Sequence, residues 1–233
     1  MNPAILSSDL DSLFPPGAVA AVLRGQGDPL LLLPAEAMHV QRAVPKRVQE
    51  FAAGRLCARR ALAEFGFVDF PIKVAEDRQP MWPDRIVGSI THTSGFCAAV
   101  VARRPPVVAL GVDSEVVGGV NAEIWHRICG PLETAWIESL PAPERAAAVA
   151  LIFSAKEAFY KCQYAAARQR LNFRDVRVAA PAWGASAGGF EIHPLRSLAI
   201  EEYATPPLQG RYLFHEAFVT AGMGLTAAAA PVQ

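Results

Sequence analysis

Two short stretches of this 233-residue chain hold side chains whose types and spacing could do chemistry. In Gly111-Val112-Asp113-Ser114-Glu115 the carboxylates stand two residues apart, and in Phe153-Ser154-Ala155-Lys156-Glu157-Ala158-Phe159-Tyr160-Lys161 a carboxylate and an ammonium stand four apart. The apolar, β-branched run from Val107 to Val112 has the length of a buried strand, so Asp113 and Glu115 leave its end on the same side. Residues from about Glu144 to Ala166 are rich in Ala, Glu, Lys and Leu without Gly or Pro, which reads as one long helix. On it Glu157 and Lys161 are stacked neighbours. If strand end and helix meet, Asp113, Glu115 and Glu157 crowd one spot, and their repulsion raises their pKa values until a cation neutralises them. Carboxylate oxygens with room for water and phosphate oxygens suit Mg²⁺. Lys161 would then be a phosphate-binding cation beside a divalent-metal site.

Taken singly, each motif has an ordinary reading. An Asp-x-Glu after a strand is usually a solvated loop, and a Glu–Lys pair at this spacing is usually a surface salt bridge worth about 0.2–0.5 kcal/mol. A third segment changes the balance: Val87-Gly88-Ser89-Ile90-Thr91-His92-Thr93-Ser94-Gly95, followed by the apolar strand Phe96 to Ala102. In this order the three segments resemble the signature of the 4′-phosphopantetheinyl transferase superfamily, the monomeric type that includes the surfactin-synthetase activator and enterobactin synthase component D. The enterobactin branch is the better match, through Lys46-Arg47, Glu50-Phe51, Gly54-Arg55, Cys57-Ala58-Arg59 and Pro80-Met81-Trp82-Pro83. The similarity runs from about Pro34 to Lys161.

The resemblance implies a reaction: the phosphopantetheine arm of coenzyme A moves to a serine hydroxyl of an apo acyl or peptidyl carrier protein, releasing adenosine 3′,5′-bisphosphate. It implies that Asp113, Glu115 and Glu157 hold Mg²⁺, with Mn²⁺ as a substitute, and that Glu157 is also the general base for the serine, directly or through water. Lys161 matches the lysine that stabilises charge on the leaving phosphate. His92 matches a phosphate-contacting histidine, with Thr91 beside it, and Arg47 and Arg55 match nucleotide-phosphate positions. Arg78 lies where the sequence departs from the family pattern, in Asp77-Arg78-Gln79-Pro80, and could supply the cation otherwise missing. Lys156 reads either as support for the diphosphate or, the favoured option, as a helix lysine in solvent; Arg59 reads equally as a phosphate contact or as structural, and His39, His126, His193 and His215 as structural. The alternatives are a carrier-binding module that has kept the fold but lost turnover, and a metal-dependent phosphohydrolase acting on coenzyme A or holo-carrier.

Composition bounds the rest. Lys plus Arg equals Asp plus Glu at 22 each, so no overall field favours nucleic acid or an anionic membrane. Attraction for an acidic carrier must be local. The segment Arg168-Gln169-Arg170-Leu171-Asn172-Phe173-Arg174 offers cations around apolar side chains and reads either as that docking patch or as a basic turn. Cys57, Cys97, Cys129 and Cys162 are widely separated, which argues for reduced, buried thiols rather than a zinc site or a disulfide framework. No signal segment or membrane span is expected, so the protein is read as cytoplasmic, and the resemblance to the monomeric type implies a monomer.

An apolar fraction of 52% supports a substantial core. Arg103-Arg104-Pro105-Pro106 reads as a stiff link dividing the chain into 1–105, the half expected to bind the nucleotide, and 106–233, the half expected to carry the metal site and catalytic helix. The first half reads as strands at Ala18–Leu23, Pro29–Leu33, Ile86–Ile90 and Phe96–Ala102 with a helix from Pro45 to about Phe65. The second reads as the Val107 strand, short helices at Asn121–Cys129 and Leu132–Leu140, the long helix, and strands near Val176, Phe190, Tyr212 and Phe218, with a frayed Ala-rich tail after Leu225. Each half is thus a long helix with a small, mostly antiparallel sheet, an α+β arrangement. The resemblance implies that the halves are related by a pseudo-twofold, with the active site in the cleft between them.

Overall fold

The computed structural model describes residues 7–181, 183–201 and 203–227; part of the expected Ala-rich tail, 228–233, lies outside them. The first half contains α1 (Ser7–Asp11), β1 (Val19–Arg24), α2 (Pro34–Ala37), α3 (Pro45–Ala63), β2 (Ile86–Thr93) and β3 (Phe96–Arg103). The second contains β4 (Val107–Val116), α4 (Trp125–Ile128), α5 (Pro131–Ser139), α6 (Ala142–Ala167), β5 (Val176–Ala179), β6 (Ala187–Pro194), β7 (Leu208–His215) and β8 (Phe218–Thr226). The strands form a three-stranded sheet in the order β1-β3-β2 and a five-stranded sheet in the order β4-β8-β7-β6-β5, every pairing antiparallel.

The strand orders β1-β3-β2 and β4-β8-β7 repeat one motif, and β5 and β6 extend the second copy. A polar device repeats with it. In Pro34-Ala35-Glu36 and again in Pro131-Leu132-Glu133, proline opens a short helix and the glutamate two residues on is fully buried. Glu36 accepts the amides of Leu33 and Ile72, both at 3.0 Å, and pairs with Arg59 of α3. Glu133 accepts the amides of Gly130 at 2.6 Å and Val178 at 2.7 Å, and pairs with Lys156 of α6 at 2.8 Å. Each buried charge is therefore satisfied by two amides and a cation from its half's long helix, which ties that helix to the loops around it.

Burial follows strand periodicity. Along β3 every residue from Phe96 to Ala102 is buried: Cys97, Ala99 and Val101 pack on α3, while Phe96, Ala98, Val100 and Ala102 face a second cluster with Leu10, Leu13, Val107, Leu110, Val112 and Phe218. That second cluster joins the halves. The largest cluster lies between α6 and the five-stranded sheet, with Phe159, Phe190, Ile192 and Tyr212 at its centre.

Several expectations need correction. Pro29–Leu33 is not a strand: Pro29 and Pro34 remove amides, Asp28 caps Leu30, and the chain forms a short 3₁₀ turn before α2. Strand β4 does not end at Val112 but runs through Asp113 and Glu115 to Val116, because β8 pairs with it throughout. Lys156 is not solvated, since its ammonium is buried and donates to Glu133 and to the carbonyls of Ile128 and Phe173. Leu171 and Phe173 are half-buried against the large core rather than exposed. The four cysteines are buried, free thiols, as expected.

Candidate active site

The two sheets meet where β2 runs beside β4, and side chains make the seam. Ser89 and Thr91, two apart on β2, aim their hydroxyls at β4: the Val112 amide donates to Ser89 Oγ at 3.1 Å and the Ser114 amide to Thr91 Oγ1 at 2.9 Å. Thr91 Oγ1 also donates to Asp113 Oδ1 at 3.3 Å. Behind β4, Ser114 Oγ lies 2.8 Å from Thr220 Oγ1, which lies 2.8 Å from His215 Nε2, a fully buried chain that fixes the strand from its far side. Burial lowers the His215 pKa to about 4.

Across this seam lies Lys161, one turn beyond Glu157 on α6. Its ammonium donates to Asp113 Oδ1 at 2.7 Å, to the Val112 carbonyl at 3.0 Å and to the Ile90 carbonyl at 3.4 Å, so one cation holds both halves. Asp113 is buried, and burial pushes its pKa up while Lys161 opposes the shift. Its other oxygen, Oδ2, is buried without a hydrogen-bond partner. Burial raises Glu115 to about 7, with Asp113 and Glu157 adding repulsion. Glu157 is raised by burial and by Asp113. Among the described residues no three carboxylate, thiol or imidazole groups close into a finished metal cage. The open lone pairs of Asp113 Oδ2 and the mutual repulsion nevertheless fit a cation that keeps water and phosphate oxygens in most of its positions.

Above the pair opens a cleft of about 750 Å³. Arg47 and Arg55 of α3 enter from one side, His92 and Thr91 of β2 from the floor, Arg78 from the turn that ends at Pro80, and Tyr160, Lys161, Tyr164 and Arg170 from the α6 side. Arg55 is buried, stacks on Phe51 at 3.9 Å and donates Nε to the Ile72 carbonyl, which fixes the guanidinium plane; burial lowers its pKa to about 10. Arg47 Nη1 donates to His92 Nε2 at 2.9 Å, and Glu50 lies 3.5 Å from that guanidinium. Burial lowers the His92 pKa, which favours the neutral ring that this contact requires. Arg59 is in the Glu36 pair, away from the cleft wall.

A second cavity of about 340 Å³ adjoins the first, with Tyr160 common to both walls. Glu157, Lys156, Phe159, Leu171, Phe173 and Arg174 line it. The structure thus gathers Arg47, Arg55, Arg78, Thr91, His92, Asp113 and Lys161 around one cleft and sets Glu157 in the wall of the next, with Glu115 on β4 beyond Asp113. Sequence reasoning missed Ser89, Tyr160, Tyr164 and the cleft position of Arg170. The alternation of Ser89 with Thr91 on a strand was a usable signal for the first of these; the cleft-facing tyrosines and arginine had none.

A basic cleft over a carboxylate–ammonium pair has the chemistry to receive a polyphosphate. Residues 35–102 match the profile of the 4′-phosphopantetheinyl transferase N-terminal domain, and residues 109–208 that of the 4′-phosphopantetheinyl transferase superfamily. The chain is 40% identical over 174 residues to 4′-phosphopantetheinyl transferase Svp of Streptomyces mobaraensis, covering 72% of this chain and 70% of the relative. It is 30% identical over 216 residues to 4′-phosphopantetheinyl transferase Npt of Nocardia iowensis, covering 90% and 96%. To enterobactin synthase component D of Escherichia coli (strain K12) it is 37% identical over 134 residues, covering 57% and 62%. The chain belongs to the 4′-phosphopantetheinyl transferase superfamily, and it is a transferase that moves the 4′-phosphopantetheine arm of coenzyme A to a serine of an apo carrier protein.

Proposed function

We propose that the basic cleft binds the nucleotide and diphosphate of coenzyme A, and that the cavity beyond Tyr160 takes the pantetheine arm. The observation that carries this reading is the position of Lys161, whose ammonium stands at the floor of the cleft between the halves and next to Asp113. Arg47, Arg55 and His92 hold the 3′-phosphate, Thr91 helps to fix it, and Arg78 adds a cation from the opposite wall. Residues 1–105 chiefly bind the nucleotide, while 106–233 carry the reacting groups.

Asp113, Glu115 and Glu157 are the residues that would hold Mg²⁺, or Mn²⁺ in its place, whose charge would offset that of the diphosphate. Glu157 removes the proton as the carrier serine oxygen bonds to the phosphorus next to the pantetheine arm, directly or through one water. The bond from that phosphorus to the bridging oxygen breaks, and Lys161 stabilises the charge on the departing adenosine 3′,5′-bisphosphate. Partners beyond the carrier and coenzyme A are not called for, and the enzyme acts as a cytoplasmic monomer. No described helix is long and apolar enough to cross a membrane.

Two measurements test this. Mass spectrometry of an apo carrier after incubation with coenzyme A and Mg²⁺ is expected to show the gain of phosphopantetheine; an unchanged carrier would support a binding module, and loss of the arm from holo-carrier a hydrolase. Arg55→Gln is expected to weaken coenzyme A about tenfold but its 3′-dephospho form far less, since a charge-assisted contact is worth about 1.5–3 kcal/mol. Equal losses would move Arg55 off the 3′-phosphate.

A further inference from the structure

The sequence left Arg168 and Arg170 open as a carrier-docking patch or a basic turn, and their surroundings in the fold suggest a further role. Arg168 forms an ion pair with Asp77, a residue of the other half, and Arg170 lines the cleft. Among the described residues Arg170 has no ion-pair partner, although it faces a cleft whose other cations are Arg47, Arg55, Arg78 and Lys161.

Both sides of the Asp77–Arg168 pair are shaped before they meet. Helix α6 stops at Arg168, which is left-handed at φ 56°, donates its amide to the Tyr164 carbonyl and lies over the Tyr164 ring. The next residue is pinned to the body: Gln169 accepts from the Ala199 amide at 2.9 Å, donates to the Ser197 carbonyl at 3.1 Å, and its own carbonyl accepts from the buried Gln163 at 2.8 Å. With Gln169 held inward, the flanking arginines reach Asp77 and the cleft. Opposite, the Glu76–Gln79 turn is closed by hydrogen bonds from the Ala75 amide to the Gln79 carbonyl and from the Arg78 amide to the Ala75 carbonyl, and Asp77 accepts from the Gln79 amide at 3.2 Å and side chain at 3.0 Å. Glu76, Asp77, Arg78 and Gln79 all line the cleft. The ion pair therefore bridges the two walls of the cleft, one from each half.

We infer that Arg170 is a coenzyme A-binding residue that contacts the diphosphate from the α6 wall, and that the Asp77–Arg168 pair is a clasp holding that wall against the Glu76–Gln79 turn. Arg170 follows on the wall that carries Lys161, whereas the cations assigned to the 3′-phosphate come from α3 and β2. The inference rests on the proposed reading of the cleft as the coenzyme A site. An exposed ion pair contributes at most about 1 kcal/mol, so the clasp tunes residence of the nucleotide rather than the existence of the site.

Arg170→Gln is expected to weaken coenzyme A and 3′-dephospho-coenzyme A alike, each about tenfold by calorimetry, because both ligands keep the diphosphate. The carrier KM at saturating coenzyme A should stay unchanged. Asp77→Arg and Arg168→Asp singly are expected to raise the coenzyme A dissociation rate about two- to fivefold, and the double charge reversal to restore it. Unchanged nucleotide affinity in Arg170→Gln, or a loss confined to coenzyme A, would overturn the diphosphate contact, and a raised carrier KM with normal coenzyme A binding would return the residue to docking. A double reversal no better than the singles would overturn the clasp. Failure of the unaltered chain to bind coenzyme A would bring down the proposed function and this inference together.

Discussion

A β-carbon built on Gly111 lies 1.9 Å from the carbonyl oxygen of Ala158, so strand β4 and helix α6 touch backbone to backbone. The glycine is there for close approach, not for an unusual turn. Contact at this point sets Asp113, two residues along the strand, within reach of Lys161, three residues along the helix.

Gly111→Ala is accordingly expected to push α6 off β4. Overpacking of this kind costs about 1–3 kcal/mol, and the same displacement parts Asp113 from Lys161. Thermal melting should drop by several degrees and transfer should fall by more than the loss of folded protein explains. A variant with normal melting and normal turnover would show that the helix yields without cost.

Asp113→Asn is expected to abolish transfer with the fold retained. Lys161 keeps the carbonyls of Ile90 and Val112 as acceptors, so its charge is not left bare. Circular dichroism should match that of the unaltered protein while holo-carrier formation is lost. Full turnover at saturating Mg²⁺ would remove Asp113 from the metal-binding set.

The carboxylates also fix a pH dependence. Glu115 titrates near 7 in the folded protein, against an ordinary value of 4.5, because burial and Asp113 disfavour its charge. The folded state therefore binds more protons than the unfolded state between those values, and metal-free stability from this group falls as pH rises from about 4.5 through about 7. Mg²⁺ should restore it, giving a larger rise in melting temperature at pH 8 than at pH 5. Glu115→Gln should flatten both trends; melting curves of the two proteins with and without Mg²⁺ measure the difference.

Lys156→Met leaves Glu133 buried without its cation, and breaking a buried pair from one side costs about 3–5 kcal/mol. Denaturant unfolding should show that loss. Lys156→Met combined with Glu133→Gln should cost less than the two changes added together, since the second removes the stranded charge. Strict additivity would mean that the two side chains do not depend on each other.

Much of the molecule was legible from its residues. The strand pattern of Val107–Val112, the Gly-free helix around Glu157, and the ordered motifs at His92, Asp113 and Glu157 determined two sheets, two long helices and the superfamily, because strand and helix periods and reactive spacings are local properties. Pro29–Leu33 misled because its apolar residues outweighed the prolines that forbid pairing there. What only the tertiary structure decided depends on partners far apart in the chain. Lys156 looks like a solvated helix lysine until Glu133 takes it inside, and nothing near Arg168 in the chain shows that it pairs with Asp77, 91 residues away. The sequence determines which charges exist, but a charge acquires its role from the burial and the counter-charge that folding brings to it.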